Sequence, residues 1–354
     1  MKKLLLSLIL IACLGSAGWY LRFHSSAERS SAPLGVSWGW EHRAGDYIRS
    51  RPLVTGGTVY FGCDDNALYA VDAVSGQLRW RFETQGNVSG TPALVDNLLI
   101  SSSWDGALYG LEAKTGRQIW RATLDGWLTG SPVVSQGIAY VGAHDGYLYA
   151  VEVTTGTVLW RFPTGGPIAG QAQAAQGFLY FTSADGFVYA LRMDSGVLGW
   201  RIATHGPLIA GPLVSGSWVY VASTDRHLYA LDAATGRERW TRELDGPLEA
   251  TPALAEGRAF VGTIAGTVVA LDAEEGTVQW TFATRGPICT MPVVAENVVF
   301  VGSTDDHIYA LDTSTGRLRW RYRLGSDAGP PAAAEGWLYV GSTDQRLYAF
   351  RLEG

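Results

Sequence analysis

The stretch LYALDAATGRERW, residues 228–240, decides the fold because close copies of it recur along the chain. LYAVDAVSGQLRW ends at Trp80, LYGLEAKTGRQIW ends at Trp120 and IYALDTSTGRLRW ends at Trp320. The final tryptophan of the pattern recurs every 40 residues, at Trp40, Trp80, Trp120, Trp160, Trp200, Trp240, Trp280 and Trp320. A fixed period of this length predicts a repeat architecture in which each copy is one structural unit.

The copy at residues 211–245 predicts four short strands: GPLVSG, SWVYVAST, HLYALDA and RERWTREL. The segments STDRH and DAATG lie between strands and carry the Asp and Gly residues of tight turns. The second and third strands are nearly continuous apolar runs, as expected when both faces of a sheet are covered. One copy cannot cover its own faces, so radial stacking is expected. The sequence therefore predicts an all-β, eight-bladed β-propeller of four-stranded antiparallel blades, with the periodic tryptophans at contacts between blades.

The two ends of the chain predict how the ring closes. After Phe350 only four residues remain, so the last repeat lacks a fourth strand and a tryptophan at the repeat position. Residues 36–42 supply Trp40 with no strands before it. We therefore expect residues 36–42 to complete the last blade. The propeller is expected to span residues 35–354 as one cooperative domain.

Residues 1–22 have the layout of an export signal or membrane anchor, because two lysines precede an apolar stretch. Three outcomes stay open. Lipidation of Cys13, in LIAC (10–13), would make a lipoprotein, whereas cleavage after Ala17 would release a periplasmic protein. An uncleaved apolar run is just long enough to span a membrane. All three outcomes place the body of the protein on the periplasmic side of the cell envelope, behind a polar linker at residues 23–34.

Composition argues against several functions. The net charge is −6, only three lysines occur and no basic cluster is present, so nucleic-acid binding has little support. Apart from Cys13, the cysteines are Cys63 and Cys289, which lie in distant repeats. The sequence does not favour a disulfide between them, although it leaves one open. No CxxC motif or adjacent cysteine pair occurs, which argues against a c-type haem and a zinc ribbon.

The pattern L-Y-A-L-D-A-x-T-G-x-x-x-W resembles the repeat of pyrroloquinoline-quinone (PQQ) propellers over about 320 residues. Quinoprotein dehydrogenases of this group are usually longer. They have a vicinal disulfide over the cofactor, a Ca²⁺ site and a catalytic Asp. This chain has no adjacent cysteines and no insertion long enough to cover a cofactor. The resemblance therefore implies a fold but no catalytic, metal-binding or PQQ-binding residue.

Within that group, the chain is similar to the BamB family of β-barrel assembly lipoproteins in length, export signal, lipobox-like stretch and repeat number. This resemblance implies a non-catalytic, monomeric scaffold for protein–protein interaction in outer-membrane protein assembly, held to the membrane through its N-terminus. The docking loops of that family carry a Leu-x-Leu-Arg-Gly stretch and closely spaced aspartates. The corresponding loops here read GPIAGQA (166–172), GPLIAGP (206–212) and GPLEATP (246–252), so the partner is left open. Two alternatives remain: a PQQ-dependent dehydrogenase-like enzyme or ligand sensor, and an envelope protein with an unrelated partner.

Two sets of polar residues recur in the predicted loops. Aspartates occupy the turn between the second and third strands at Asp65, Asp105, Asp145, Asp185, Asp225, Asp305 and Asp344. Because this position repeats in nearly every blade, we interpret it as turn chemistry rather than a cation-binding ring. The loop histidines are His144, His205, His227 and His307. Separate blades would hold most of them too far apart to share a metal ion, so exposed loop histidines are expected.

Aromatic residues outside the repeat consensus predict a contact surface, because loops on a rigid scaffold commonly carry function and exposed aromatics mark interfaces. They are Trp104, Trp127, Tyr147 and Phe187. Packing under neighbouring loops is the alternative explanation for all four. Together with Arg49, Arg51, Arg226 and Arg285, they are the predicted partner-binding residues.

Overall fold

A computed structural model describes residues 35–353 of the chain. The predicted export signal or anchor at 1–22, its lipidation candidate Cys13 and the predicted linker at 23–34 lie outside the described residues. Residues 35–353 contain no helix long and apolar enough to cross a membrane.

Within the described residues, thirty-two strands form eight antiparallel sheets of four strands each. The first sixteen strands are β1 (Gly35–Arg43), β2 (Leu53–Thr55), β3 (Thr58–Cys63), β4 (Ala67–Asp72), β5 (Leu78–Glu83), β6 (Ala93–Val95), β7 (Leu98–Ser102), β8 (Ala107–Glu112), β9 (Gln118–Thr123), β10 (Val133–Ser135), β11 (Ile138–Gly142), β12 (Tyr147–Glu152), β13 (Val158–Pro163), β14 (Gln173–Ala175), β15 (Phe178–Thr182) and β16 (Phe187–Arg192). The other sixteen are β17 (Leu198–Ala203), β18 (Leu213–Ser215), β19 (Trp218–Ala222), β20 (His227–Asp232), β21 (Glu238–Glu243), β22 (Ala253–Ala255), β23 (Arg258–Gly262), β24 (Thr267–Asp272), β25 (Val278–Ala283), β26 (Val293–Ala295), β27 (Val298–Gly302), β28 (His307–Asp312), β29 (Leu318–Arg323), β30 (Ala328–Ala334), β31 (Trp337–Ser342) and β32 (Arg346–Glu353).

The sheets are the blades of an eight-bladed β-propeller, which confirms the predicted fold. Blade 1 is β2–β5, each following set of four strands is the next blade, and blade 8 combines β30–β32 with β1. Blade 5 (β18–β21) has the four strands predicted for residues 211–245, each shortened at one or both ends by the turns. One of those turns contains Gly236 at φ +70°, a left-handed conformation that glycine adopts without steric cost.

Antiparallel pairing gives the disc two different faces. The connections from one blade to the next and the turns between second and third strands lie at one side, which we call the loop face. The other turns lie on the opposite side, which we call the turn face. The short first strand of each blade faces the central axis, while the fourth strand is the outer edge.

The periodic tryptophans lie between neighbouring blades, as predicted. The indole Nε1 of Trp80 donates to the carbonyl of Ala113 in the next blade at 2.9 Å. A Cβ at Gly116 would come within 2.7 Å of the same indole, so this turn requires a residue without a side chain. The same donation joins Trp40 to Ala73, Trp120 to Val153, Trp200 to Ala233, Trp240 to Ala273, and Trp280 to Thr313.

Strand β1 closes the ring by pairing antiparallel with β32, as predicted for residues 36–42. Its Trp40 donates to the carbonyl of Ala73 in blade 1 at 3.1 Å. Tyr339, from the other end of the chain, donates its hydroxyl to the same carbonyl at 3.0 Å. One backbone oxygen of blade 1 therefore receives hydrogen bonds from both halves of blade 8.

Candidate functional site

The repeated aspartates of the loop face join neighbouring blades. Asp105 Oδ1 accepts from the backbone N–H of Ala107 at 2.9 Å, and its Oδ2 accepts from the hydroxyl of Tyr109 at 2.6 Å. Oδ2 also accepts from the N–H of Gln85 in the preceding blade at 2.9 Å. Equivalent Asp–Tyr pairs are Asp65–Tyr69, Asp145–Tyr149, Asp185–Tyr189, Asp225–Tyr229, Asp305–Tyr309 and Asp344–Tyr348. These aspartates therefore have the turn role that the sequence predicts.

Blade 6 shows that the pair acts as a unit, because both members are replaced together. Ala265 stands at the aspartate position and Val269 at the tyrosine position. Where the pair is present, burial and the bond to the aspartate raise the tyrosine pKa, for Tyr149 to about 12. The hydroxyl therefore stays protonated and donates at neutral pH.

The four loop histidines do not form a metal site. His205 and His227 come from neighbouring blades and their ring centroids lie 6.5 Å apart. Among residues 35–353, no three His, Cys, Asp or Glu side chains are grouped closely enough to hold a metal ion. The Nε2 of His144 is hydrogen-bonded to the hydroxyl of Thr129 at 2.9 Å. Burial lowers the pKa of His144, so its imidazole is neutral at pH 7.

Two predicted contact residues, Trp104 and Trp127, form a stack on the loop face. Their ring centroids lie 6.2 Å apart and their planes differ by 10°. The Nε1 of Trp104 donates to the hydroxyl of Ser89 at 2.8 Å. Trp127 is 61% exposed and its ring lies 6.2 Å from that of His144. Trp104 is therefore packed and held in place, whereas Trp127 presents its ring to solvent.

Arg49 and Arg51 precede the first strand of blade 1 and line the axial channel. They line a cavity of about 480 Å³ together with Ser89, the residue bonded to Trp104. Arg49 Nε lies 3.3 Å from Asp64 Oδ2, and its guanidinium lies over the ring of Tyr47 at 5.2 Å.

Arg51 is held differently, because its Nε donates to the backbone carbonyl of Pro331 at 3.2 Å. Burial lowers the pKa of the Arg51 guanidinium, which nevertheless stays charged at neutral pH. The same cavity contains one carboxyl group, that of Glu249, and burial raises its pKa. This cavity therefore contains two arginines and one carboxyl group among many apolar side chains.

The other four predicted contact residues are separated from one another. Arg161 lies over the ring of Tyr147 at 4.4 Å, and Arg201 lies over the ring of Phe187 at 5.0 Å. These contacts place both rings beside outer strands. Arg226 pairs with Glu243 in blade 5, and Arg285 lies exposed in the connection between blades 6 and 7. The structure thus brings Trp104 together with Trp127, and it places Arg49 and Arg51 in one cavity. The contact role of all eight residues stays a prediction.

Sequence reasoning missed several polar residues that line the axial channel. Beside Arg49 and Arg51, the wall includes Ser89, Thr91, Ser131, Gln171, Glu249 and Thr251. Each of them stands a multiple of 40 residues after Arg49 or Arg51. Comparing these equivalent positions between repeats would have identified them.

Cys63 is a free, buried thiol. Consequently, no Cys63–Cys289 disulfide is formed. Burial raises the pKa of the Cys63 thiol to about 12, which keeps it protonated at neutral pH.

Comparison with known proteins identifies the family. The family model described as outer membrane protein assembly factor BamB matches residues 37–89, 64–204, 184–291 and 286–354. This chain belongs to the BamB family. No curated protein matches it at a significant level.

Solved structures with the same fold include BamB, a designed protein and an enzyme. BamB from Moraxella catarrhalis has a TM-score of 0.80 at 18% identity, with 90% of this chain and 100% of that chain covered. The computationally designed Ika8 protein gives the same TM-score, identity and coverage. Quinohemoprotein alcohol dehydrogenase from Comamonas testosteroni has a TM-score of 0.75 at 14% identity, with 89% and 76% covered. At these identities the likeness shows the fold alone, and one fold can carry unrelated functions.

Proposed function

We propose that this member of the BamB family is a non-catalytic scaffold that binds a protein partner in outer-membrane protein assembly. The observation that carries the proposal is the family match, which extends from residue 37 to residue 354. The hydrogen bonds of the loop face also support it. The repeated aspartates and tyrosines of the loop face bond one another, which leaves the residues outside the repeat to contact a partner.

The proposal places the propeller on the periplasmic side of the cell envelope, held to a membrane by lipid at Cys13 or by an uncleaved N-terminal segment. A rigid ring suits a binding role because its loops need little ordering when they meet a partner. The mechanism is binding alone: the loop face presents a fixed arrangement of side chains to another protein.

The test is capture of partners by the full-length chain carrying a C-terminal affinity tag, expressed in its own host and crosslinked before extraction. We expect components of the outer-membrane assembly machinery to be enriched over a matched, tagged envelope protein. We also expect lower levels of outer-membrane β-barrels when the gene is deleted. Recovery of no assembly component, with unchanged barrel levels after deletion, would contradict the proposal and favour an unrelated envelope partner.

The axial cavity with Arg49 and Arg51 favours one competing function, a PQQ-dependent dehydrogenase or ligand sensor. The residues do not fit the Ca²⁺ that accompanies PQQ, because the described part of this cavity offers the single carboxyl of Glu249. We therefore propose that the chain acts without PQQ. Incubation with PQQ and Ca²⁺, followed by desalting, should leave no bound chromophore and no dye-linked alcohol oxidation. Retained absorbance with alcohol oxidation would replace the scaffold proposal.

A further inference from the structure

The tryptophan stack is a departure from the repeat that the fold does not require. The four blade connections after the one that carries Trp127 have proline at its position, namely Pro167, Pro207, Pro247 and Pro287. The next blades have smaller residues at the position of Trp104, namely His144, Ala184, Thr224, Ile264 and Thr304. These blades form the same turns without tryptophan. The fold therefore does not explain the two tryptophans, which makes them candidates for a binding role.

The polar groups around the stack are already satisfied by one another. Trp104 Nε1 donates to Ser89, and His144 is hydrogen-bonded to Thr129 and neutral at pH 7. What remains for a ligand is the exposed ring of Trp127. A sugar needs hydrogen-bonding side chains beside an aromatic platform, whereas an aromatic side chain needs only a ring to stack on. The stack therefore fits an aromatic side chain.

Arg51 supplies a positive charge in the cavity that is also lined by Ser89, the residue bonded to Trp104. Its guanidinium is partly desolvated, and its Nε donates to a neutral acceptor, the backbone carbonyl of Pro331. A cation in such a place is stabilised by a carboxylate that enters the cavity. Ser89 connects the two features, because it bonds Trp104 and lines the same cavity as Arg51. Ser89 is thus the residue through which the stack reaches the cavity that contains Arg51.

We propose that this site binds an extended segment of a protein partner, with an aromatic side chain stacked on Trp127 and a nearby carboxylate paired with Arg51. The proposal rests on the proposed scaffold function and names the partner chemistry that the loop face accepts. Arg49 contributes less to binding a carboxylate, because it already forms an ion pair with Asp64. The tryptophan–arginine site is defined as Trp104, Trp127 and Arg51, which lie in a turn of blade 2, in the connection from blade 2 to blade 3 and in the connection from blade 8 to blade 1.

The test uses the full-length chain and three capped peptides in which one, two or three glycines separate Phe from Asp. Calorimetry should show at least one peptide binding about tenfold more tightly than its Phe→Ala and Asp→Asn versions. Trp127→Ala and Arg51→Gln should each weaken that peptide about tenfold, the usual effect of losing an aromatic contact or a charged hydrogen bond. Trp218→Ala is the matched control, because this tryptophan lies at the turn face under Arg239.

Several results would overturn the proposal. Equal binding of all peptides and their altered versions would do so, as would wild-type affinity in both Trp127→Ala and Arg51→Gln. Binding of 3-phenylpropionate as tightly as the best peptide would assign the site to a small molecule instead. Thermal melts of the variants confirm folding, which is expected because Trp127 is exposed and Arg51 lines a cavity.

The capture experiment separates this proposal from the scaffold proposal. If the wild-type chain and the Trp127→Ala/Arg51→Gln double variant capture assembly components equally, the scaffold stands and the tryptophan–arginine site is wrong. If the wild type captures none, the scaffold function itself fails. Loss of capture in the double variant alone supports both.

Discussion

Replacing Gly156 by alanine should destabilise the propeller more than replacing Gly137, and the difference measures the tryptophan contact between blades. Both glycines have left-handed backbones, with φ +74° and φ +76°. A Cβ at Gly156 would lie 2.6 Å from Trp120 Cε3, whereas a Cβ at Gly137 would meet no atom within 4 Å. The two substitutions therefore share a conformational cost and differ in packing.

The shared cost of a left-handed alanine is about 1–2 kcal/mol. At Gly156 the indole of Trp120 must also move, although its Nε1 is fixed by a 2.8 Å hydrogen bond to the carbonyl of Val153. Overpacking of this kind adds about 1–3 kcal/mol. Gly156→Ala should therefore cost about 2–5 kcal/mol, against about 1–2 kcal/mol for Gly137→Ala.

Thermal unfolding followed by far-ultraviolet circular dichroism checks the difference at one scan rate. For a domain of this size, each kcal/mol shifts the midpoint by about 1.5 °C, so Gly156→Ala should melt about 1.5–4.5 °C below Gly137→Ala. In a Trp120→Ala background the gap between the two alanine variants should close. Equal midpoints in the wild-type background, or a gap that persists without Trp120, would refute the packing argument.

Two further predictions concern the loop face. Burial holds the pKa of His144 below its usual value of about 6.5, so the unfolded chain binds more protons than the folded chain in that range, and the free energy of unfolding should decrease as pH falls below about 6.5. Urea unfolding at several pH values should show a shallower decrease in the His144→Gln variant. Parallel curves for the variant and the wild type would contradict this assignment. Arg226 has a left-handed backbone, with φ +77°, at a position where four other blades have glycine. Arg226→Gly should therefore raise the free energy of unfolding by about 1 kcal/mol, although it removes the exposed ion pair with Glu243. An unchanged or lower free energy in urea unfolding would contradict this.

The fold was predictable because the tryptophans and the turns stand at the same positions in successive repeats. A tryptophan every 40 residues, with tight turns at fixed offsets, leaves one way to cover both faces of each sheet. Closure by residues 36–42 followed from a missing strand at the other end of the chain. Several strands proved shorter than predicted. Ser217, for example, belongs to the turn before β19, and the predicted second strand of blade 5 therefore begins one residue later, at Trp218.

The candidate site was less predictable, because it depends on contacts between blades. Nothing local to Trp104 or Trp127 indicates that their rings stack, since one lies in a turn and the other in a connection to the next blade. The sequence also did not predict that Arg51 faces the central axis. This arginine precedes a strand of three residues, which is too short for an alternating pattern to distinguish the axis from the blade interior.

Closure by β1 also determines how the ring would respond to tension. Strand β1 runs from the turn face at Gly35 to the loop face at Arg43, and it pairs with β32 along its whole length. A pull on the chain that precedes Gly35 would act lengthwise along β1, so all the bonds of this ladder would share the load at once instead of opening one after another. The ring would therefore resist a mechanical force applied through its N-terminal end.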